Sequence, residues 1–149
     1  DGVVELRFDS PQAMTAAFAS DAAQPLKADE PNFLGHGTGY AISAAPPVRT
    51  ADDGSKLIVV LRNGGDRSAA ASLEAIARAI PGCVHLIHDE VVAVIARPEM
   101  ADGPQPADAF LHLYFDSADQ AGAVGRSLLA QTGLDAAFTV VRVRTLTVI

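Results

Sequence analysis

The sequence predicts an α+β fold: an antiparallel sheet with helices packed on one face. Two observations predict it. From residue 56 onward the hydrophobic pattern reads strand, helix, strand, strand, helix, strand. A strand-to-helix stretch also occurs twice. Val4-Glu5-Leu6-Arg7-Phe8-Asp9-Ser10 comes back as Leu111-His112-Leu113-Tyr114-Phe115-Asp116-Ser117. The match continues, with Ala16 answering Ala123 and Ser20 answering Ser127. A repeat of this length in a chain of 149 residues points to two similar domains in tandem.

Residues 3–8 alternate as a strand does, with Val4, Leu6 and Phe8 on one face and Val3, Glu5 and Arg7 on the other. Ser10-Pro11 starts a helix, Ser as its cap and Pro at its first position. Met14, Ala17 and Phe18 continue it at helical spacing. Asp29-Glu30-Pro31-Asn32 is expected to end that helical region, because a residue before Pro is pushed out of the helical well. Gly35–Gly39 reads as a loop and Tyr40–Ala44 as a short strand. Ala45 to Gly54 has the Pro, Asp and Gly of a linker.

Lys56–Leu61 is a nearly continuous apolar strand, turned by Gly64-Gly65-Asp66. Asp66 or Ser68 caps a helix whose Leu73, Ile76, Ala77 and Ile80 share one face. Pro81-Gly82 stops it. Val84–Asp89 is a strand, with Val91–Ala96 as a ragged continuation. Arg97–Ala109 is a loop rich in Pro, Gly and Asp. Phe110–Phe115 is the repeat strand, and Ser117-x-x-Gln120 is a capping box. Thr132-Gly133 closes the helix. Phe138–Ile149 is a final strand rich in Val and Thr. Residues 56–149 thus form a complete split βαβ, ferredoxin-like domain, whose third strand lies between the first and second. Residues 1–46 supply the back half of such a domain, and 47–55 join the two.

Composition narrows the function classes. Hydrophobic residues at 49% and charged residues at 19% describe a soluble chain able to bury a core. A net charge of −7 argues against nucleic acid and against an anionic membrane surface as partners. No apolar run has the length of a membrane span, and no signal peptide is visible. Cys83 is a single cysteine, which excludes an intrachain disulfide and fits a cytoplasmic setting. The chain starts Asp1-Gly2, without Met, and is read as part of a longer polypeptide. A central strand at 3–8 needs neighbours on both sides, so a strand-helix-strand segment is expected before it.

Asp1-Gly2-Val3-Val4-Glu5-Leu6-x-Phe8-Asp9-Ser10, with the Ala-rich helix behind it, resembles the EthD family of the dimeric α+β barrel superfamily. Pro81-Gly82 into a strand, then a Pro/Gly loop and Leu111-x-Leu113-x-Phe115-Asp116-Ser117, resembles it a second time. The resemblance implies two ferredoxin-like sheets facing each other across a small-molecule cavity, as tandem repeats forming a dimeric α+β barrel. It implies no bound cofactor and no metal. Activities in the superfamily include monooxygenases, cyclases and dehydratases. The sequence also departs from the family. A His-Ala-Pro-like motif near the end of the first helix has no counterpart, since Ser68–Ile80 contains no His. Where a second-strand His is expected, Glu90 stands, preceded by Asp89. Any working copy of those residues is expected in the first domain's front half.

The face of the repeat strand opposite the helices carries the candidate ligand-binding residues: Phe110, His112 and Tyr114, matched by Val3, Glu5 and Arg7. In a sheet-on-sheet barrel this face lines the cavity, where His112 and Tyr114 can bind or protonate a ligand. The alternative is that they are interfacial residues satisfied by the facing sheet. His85 is a further candidate. His88, three positions on, points the other way, so the two cannot share a metal. Ser10 and Ser117 are accounted for as helix caps rather than as nucleophiles. Arg142 and Arg144 alternate with Val141 and Val143 as a polar strand face.

Three readings follow. One is an EthD-like small-molecule-binding or accessory protein, its partner a small apolar or aromatic molecule. Another is a cofactor-free enzyme of cyclase, dehydratase or monooxygenase type acting on an aromatic or polyketide-like substrate. The third is a structural pseudo-dimer without cavity chemistry. Association is expected as an intramolecular pseudo-dimer, a homodimer or both.

Overall fold

The computed structural model describes residues 3–42, 55–62, 75, 80–95, 106–131 and 138–143. The chain divides into two compact units, Asp1–Val3 with Tyr40–Val94 and Gln105–Ile149, and Val4–Gly39 with Ile95–Pro104.

The larger unit is built on five strands: β1 (Gly39–Ile42), β2 (Lys56–Leu61), β3 (Cys83–Ile95), β4 (Ala109–Phe115) and β5 (Phe138–Val143). They lie in the order β1-β3-β4-β2-β5. The last four give the ferredoxin-like order, with β1 added outside β3. β4 lies between β2 and β3 and runs antiparallel to both, pairing Leu113 with Leu57 and with Leu86. β5 is antiparallel to β2 on its other side. The central position expected for the third strand of this domain is therefore the one it occupies.

Sequence and burial explain why these segments are strands. β2 and β4 are buried along their whole length, which requires a continuous apolar run such as Leu57–Leu61. β3 is one strand through Ile95, longer than Val84–Asp89, because no Gly or Pro interrupts Glu90-Val91. Gly82 precedes it with φ of 84°, a left-handed turn that Gly adopts without a Cβ clash. Between Cys83 and His85 the pairing with β4 shifts by one residue, a β-bulge at Val84.

The helix α3 (Ala118–Gln131) starts on Ser117, whose Oγ accepts from the Gln120 N–H at 3.3 Å. It covers the face of the sheet that carries Leu57, Val59, Leu61, Leu111, Leu113 and Phe115, adding Ala121 and Leu128 to one buried cluster. Val124 and Ile80 pack against that cluster. Each fully buried Leu contributes about 1.5–3 kcal/mol. Ala75 is helical. Leu73, Ile76 and the rest of the helix expected at 68–80 lie outside the described residues. So do the turn at 64–66, residues 47–54 of the linker, most of the loop at 97–109, Thr132-Gly133 and Arg144.

The smaller unit holds two helices, α1 (Pro11–Ala19) and α2 (Ala23–Phe33). Ser10 caps α1, its Oγ accepting from the Ala13 N–H at 3.1 Å. Two expectations are corrected here. Residues 3–8 form no strand, although their alternation is strand-like; alternation chooses a face, but a strand exists only where another strand pairs with it. Helix α2 also runs through Pro31 to Phe33. Pro31 sits in its last turn, where the disruption is confined to the end of the helix.

Candidate functional site

The site is the face of the sheet that α3 does not cover. Its geometry follows from register. On β4 the even positions Phe110, His112 and Tyr114 point there, opposite in sign to Leu111, Leu113 and Phe115 in the helix-side core. On β2 the residues across from them are Val60, Ile58 and Lys56. On β3 they are Asp89, Ile87 and His85. Three rows result: Lys56–Tyr114–His85, Ile58–His112–Ile87, and Val60–Phe110–Asp89.

The first row is polar throughout. Lys56 Nζ stands 5.4 Å from the centre of the Tyr114 ring, a cation–π contact. The His85 ring lies 6.1 Å from that of Tyr114, tilted at 59°. The bulge at Val84 makes this contact possible. In an unbroken ladder from Cys83↔Phe115, Val84 would face Tyr114 and His85 would turn to the helix side.

The second polar element is diagonal. His112 Nε2 is 3.3 Å from an Asp89 carboxylate oxygen, an ion pair when the imidazole is protonated. Asp89 belongs to the next row, and diagonal neighbours on one sheet face are within side-chain reach. Lys56, Asp89, His112 and Tyr114 are all less than 8% exposed. Polar groups taken from water to this degree are kept where partners compensate their desolvation.

Next to them the face is apolar. Ile58, Val60, Ala107 and Phe110 form a second buried cluster, with Val3, Tyr40 and Val91 against it. Tyr40 meets Phe110 edge-on at 5.3 Å, and its hydroxyl accepts from the Ala107 N–H at 3.0 Å. An aromatic, apolar half and a cationic and acid–base half thus share one surface of the sheet.

Of the residues expected from the sequence, Phe110, His112, Tyr114 and His85 come together here. Glu5 and Arg7 do not belong to this sheet; both are exposed and fall in the smaller unit. His88 pairs with Leu111 and has the helix-side parity, so it is apart from His85, as its spacing implies. Among the described residues no three His, Cys, Asp or Glu side chains could hold a metal ion. Lys56 and Asp89 were not expected. Their signal was parity: Lys56 alternates in phase with Ile58 and Val60, and Asp89 in phase with His85. Reading it needed the register that only strand pairing supplies.

No helix among the described residues is long and apolar enough to cross a membrane. No curated protein and no solved structure matches the chain. Residues 1–37 match the EthD domain model, which spans α1, α2 and the segment before them and leaves the sheet's candidate residues outside. The match covers residues 1–37 of the 149, and that stretch is similar to an EthD domain.

Proposed function

We propose that the protein binds a small molecule on the sheet face opposite α3, an aromatic or apolar body against Phe110 and Ile58 and a polar group toward His85, Tyr114 and His112. The observation that carries this reading is the row of Lys56, Tyr114 and His85 beside the His112–Asp89 pair. A face serving only to fill a core has no use for this concentration of polar side chains. The setting proposed is the cytoplasm, resting on the single Cys83.

A second reading has one observation of its own. A carboxylate beside an imidazole orients the ring and stabilises its protonated form, as a general base requires. His112 and Asp89 are so disposed, with Tyr114 two residues along the strand as a proton donor. This supports a cofactor-free enzyme acting on an aromatic or polyketide-like substrate, by proton transfer at the substrate.

The two readings are separated by one experiment. A panel of hydroxylated aromatic and polyketide-like compounds is screened by calorimetry against the wild-type chain, His85→Ala and Tyr114→Phe. His85 is exposed and Tyr114→Phe keeps the ring, so neither change disturbs the core. Binding weakened at least about tenfold by either change, a loss of about 1.4 kcal/mol, supports the site. Unaltered binding in both variants excludes it. Turnover of a bound compound that Asp89→Asn slows, without loss of binding, favours the enzyme.

A further inference from the structure

We propose that Lys56 makes the ligand face selective for an aromatic or apolar carboxylic acid, bound with its carboxylate at the Lys56 end and its uncharged end toward His112 and Asp89. The inference rests on the binding site proposed above and adds the charge of the ligand and its direction.

The face has an electrical polarity that follows from register. Lys56 stands opposite Tyr114, and Asp89 stands opposite Phe110. The cation is therefore on β2 in the first row, and the carboxylate on β3 in the third. Two strand spacings across and four residues along put their Cα atoms roughly 16 Å apart, too far for the two side chains to meet. Asp89 is engaged instead by His112, at 3.3 Å. Positive charge thus marks one corner of the face and negative charge the opposite one, with Ile58, His112 and Ile87 between them.

A ligand lying across this face meets attraction for an anion at one end and repulsion at the other. The Lys56 corner also supplies the donors. Next along its row come the Tyr114 hydroxyl and the His85 ring, which donate O–H and N–H bonds. Three donor groups side by side suit two acceptor oxygens, so a carboxylate fits better than the single oxygen of a phenol. The Lys56 ammonium is held over the Tyr114 ring, at 5.4 Å, which fixes its place before any ligand arrives. A lysine that only covers apolar surface carries its head out to water, whereas Lys56 is 6% exposed and keeps its charge on the face.

Calorimetry with 2-naphthoate, 2-naphthamide, 2-naphthol and 2-naphthylmethylamine tests this, since the four share one ring system and differ in charge and donors. The wild-type chain is expected to bind 2-naphthoate at least about tenfold tighter than each of the others. Lys56→Gln is expected to reduce that preference below about threefold, and Lys56→Arg to keep it. Binding of the amide, phenol or amine as tight as that of 2-naphthoate, or no binding of 2-naphthoate, overturns the proposal in the wild-type chain alone, whether or not a variant folds. So does a preference that survives unchanged in Lys56→Gln. In either case a loss of binding in His85→Ala or Tyr114→Phe leaves the site itself standing. Binding of the naphthyl compounds that neither His85→Ala nor Tyr114→Phe weakens removes the site, and the selectivity of Lys56 with it.

Discussion

Residues 4–10 and 111–117 are nearly the same motif with opposite fates. Leu113 is fully buried at the centre of a sheet; Leu6, its counterpart, is 63% exposed and in no strand. The serines that follow behave alike. Ser10 and Ser117 each accept from the N–H three residues on. A helix cap is a bargain struck within one turn of chain, so it travels with the motif. A strand is an agreement among distant segments, so the motif alone does not make one. Even Phe8 shows the difference. It stacks locally on Phe18 at 5.7 Å, whereas Phe115 is held in a core drawn from three strands and a helix.

That comparison can be broken or sharpened by paired substitutions at matching positions. The largest contrast is expected between His112 and Glu5. His112→Ala removes the imidazole from beside the buried Asp89 carboxylate and is expected to cost about 3–5 kcal/mol, whereas Glu5→Ala on an exposed stretch changes stability by about 0.5 kcal/mol or less. Urea unfolding of both variants measures this. Recovery of stability in the double variant His112→Ala/Asp89→Ala would show that the loss comes from the broken His112–Asp89 pair.

Next come the leucines. Leu113→Ala should lose about 2–5 kcal/mol through the cavity it opens, and Leu6→Ala no more than about 0.5 kcal/mol. A comparable loss at both sites would mean that Leu6 is packed in solution, and the contrast between the copies would fail. The smallest effect is expected where the copies agree. Ser10→Ala and Ser117→Ala should each cost about 1 kcal/mol. Helix content by circular dichroism, followed through thermal unfolding, would reveal an inequality if one cap were not formed.

What the sequence made legible follows the same division between local and distant. The starts of α1 and α3, the central place of β4 and the helix-side leucines were all readable, because cap residues, alternation and element order carry them. The face that holds Phe110, His112 and Tyr114 was readable by parity from the same alternation. Lys56 and Asp89 were not singled out. Lys56 opens an apolar strand and Asp89 sits in a mixed one, and only the pairings Lys56↔Tyr114 and Asp89↔Phe110 bring them to this face. The helical end expected across Asp29–Asn32 comes at Phe33, because within the last turn of α2 a proline such as Pro31 is tolerated. The strand at 3–8 was read from alternation that is present, without the pairing that would realise it.

The bulge at Val84 has an evolutionary consequence. From Leu86 to Glu90 every residue of β3 has one partner on β4, so gaining or losing a residue there would exchange the two faces and move Asp89 away from His112. At Val84 the strand already carries a surplus residue. Losing it would leave His85 opposite Tyr114 and bring Cys83 into the adjoining pair with Phe115, as in a regular ladder. The bulge is thus a place where descendants of this gene can change length without rewriting the site, and the codons for Leu86 to Glu90 are not.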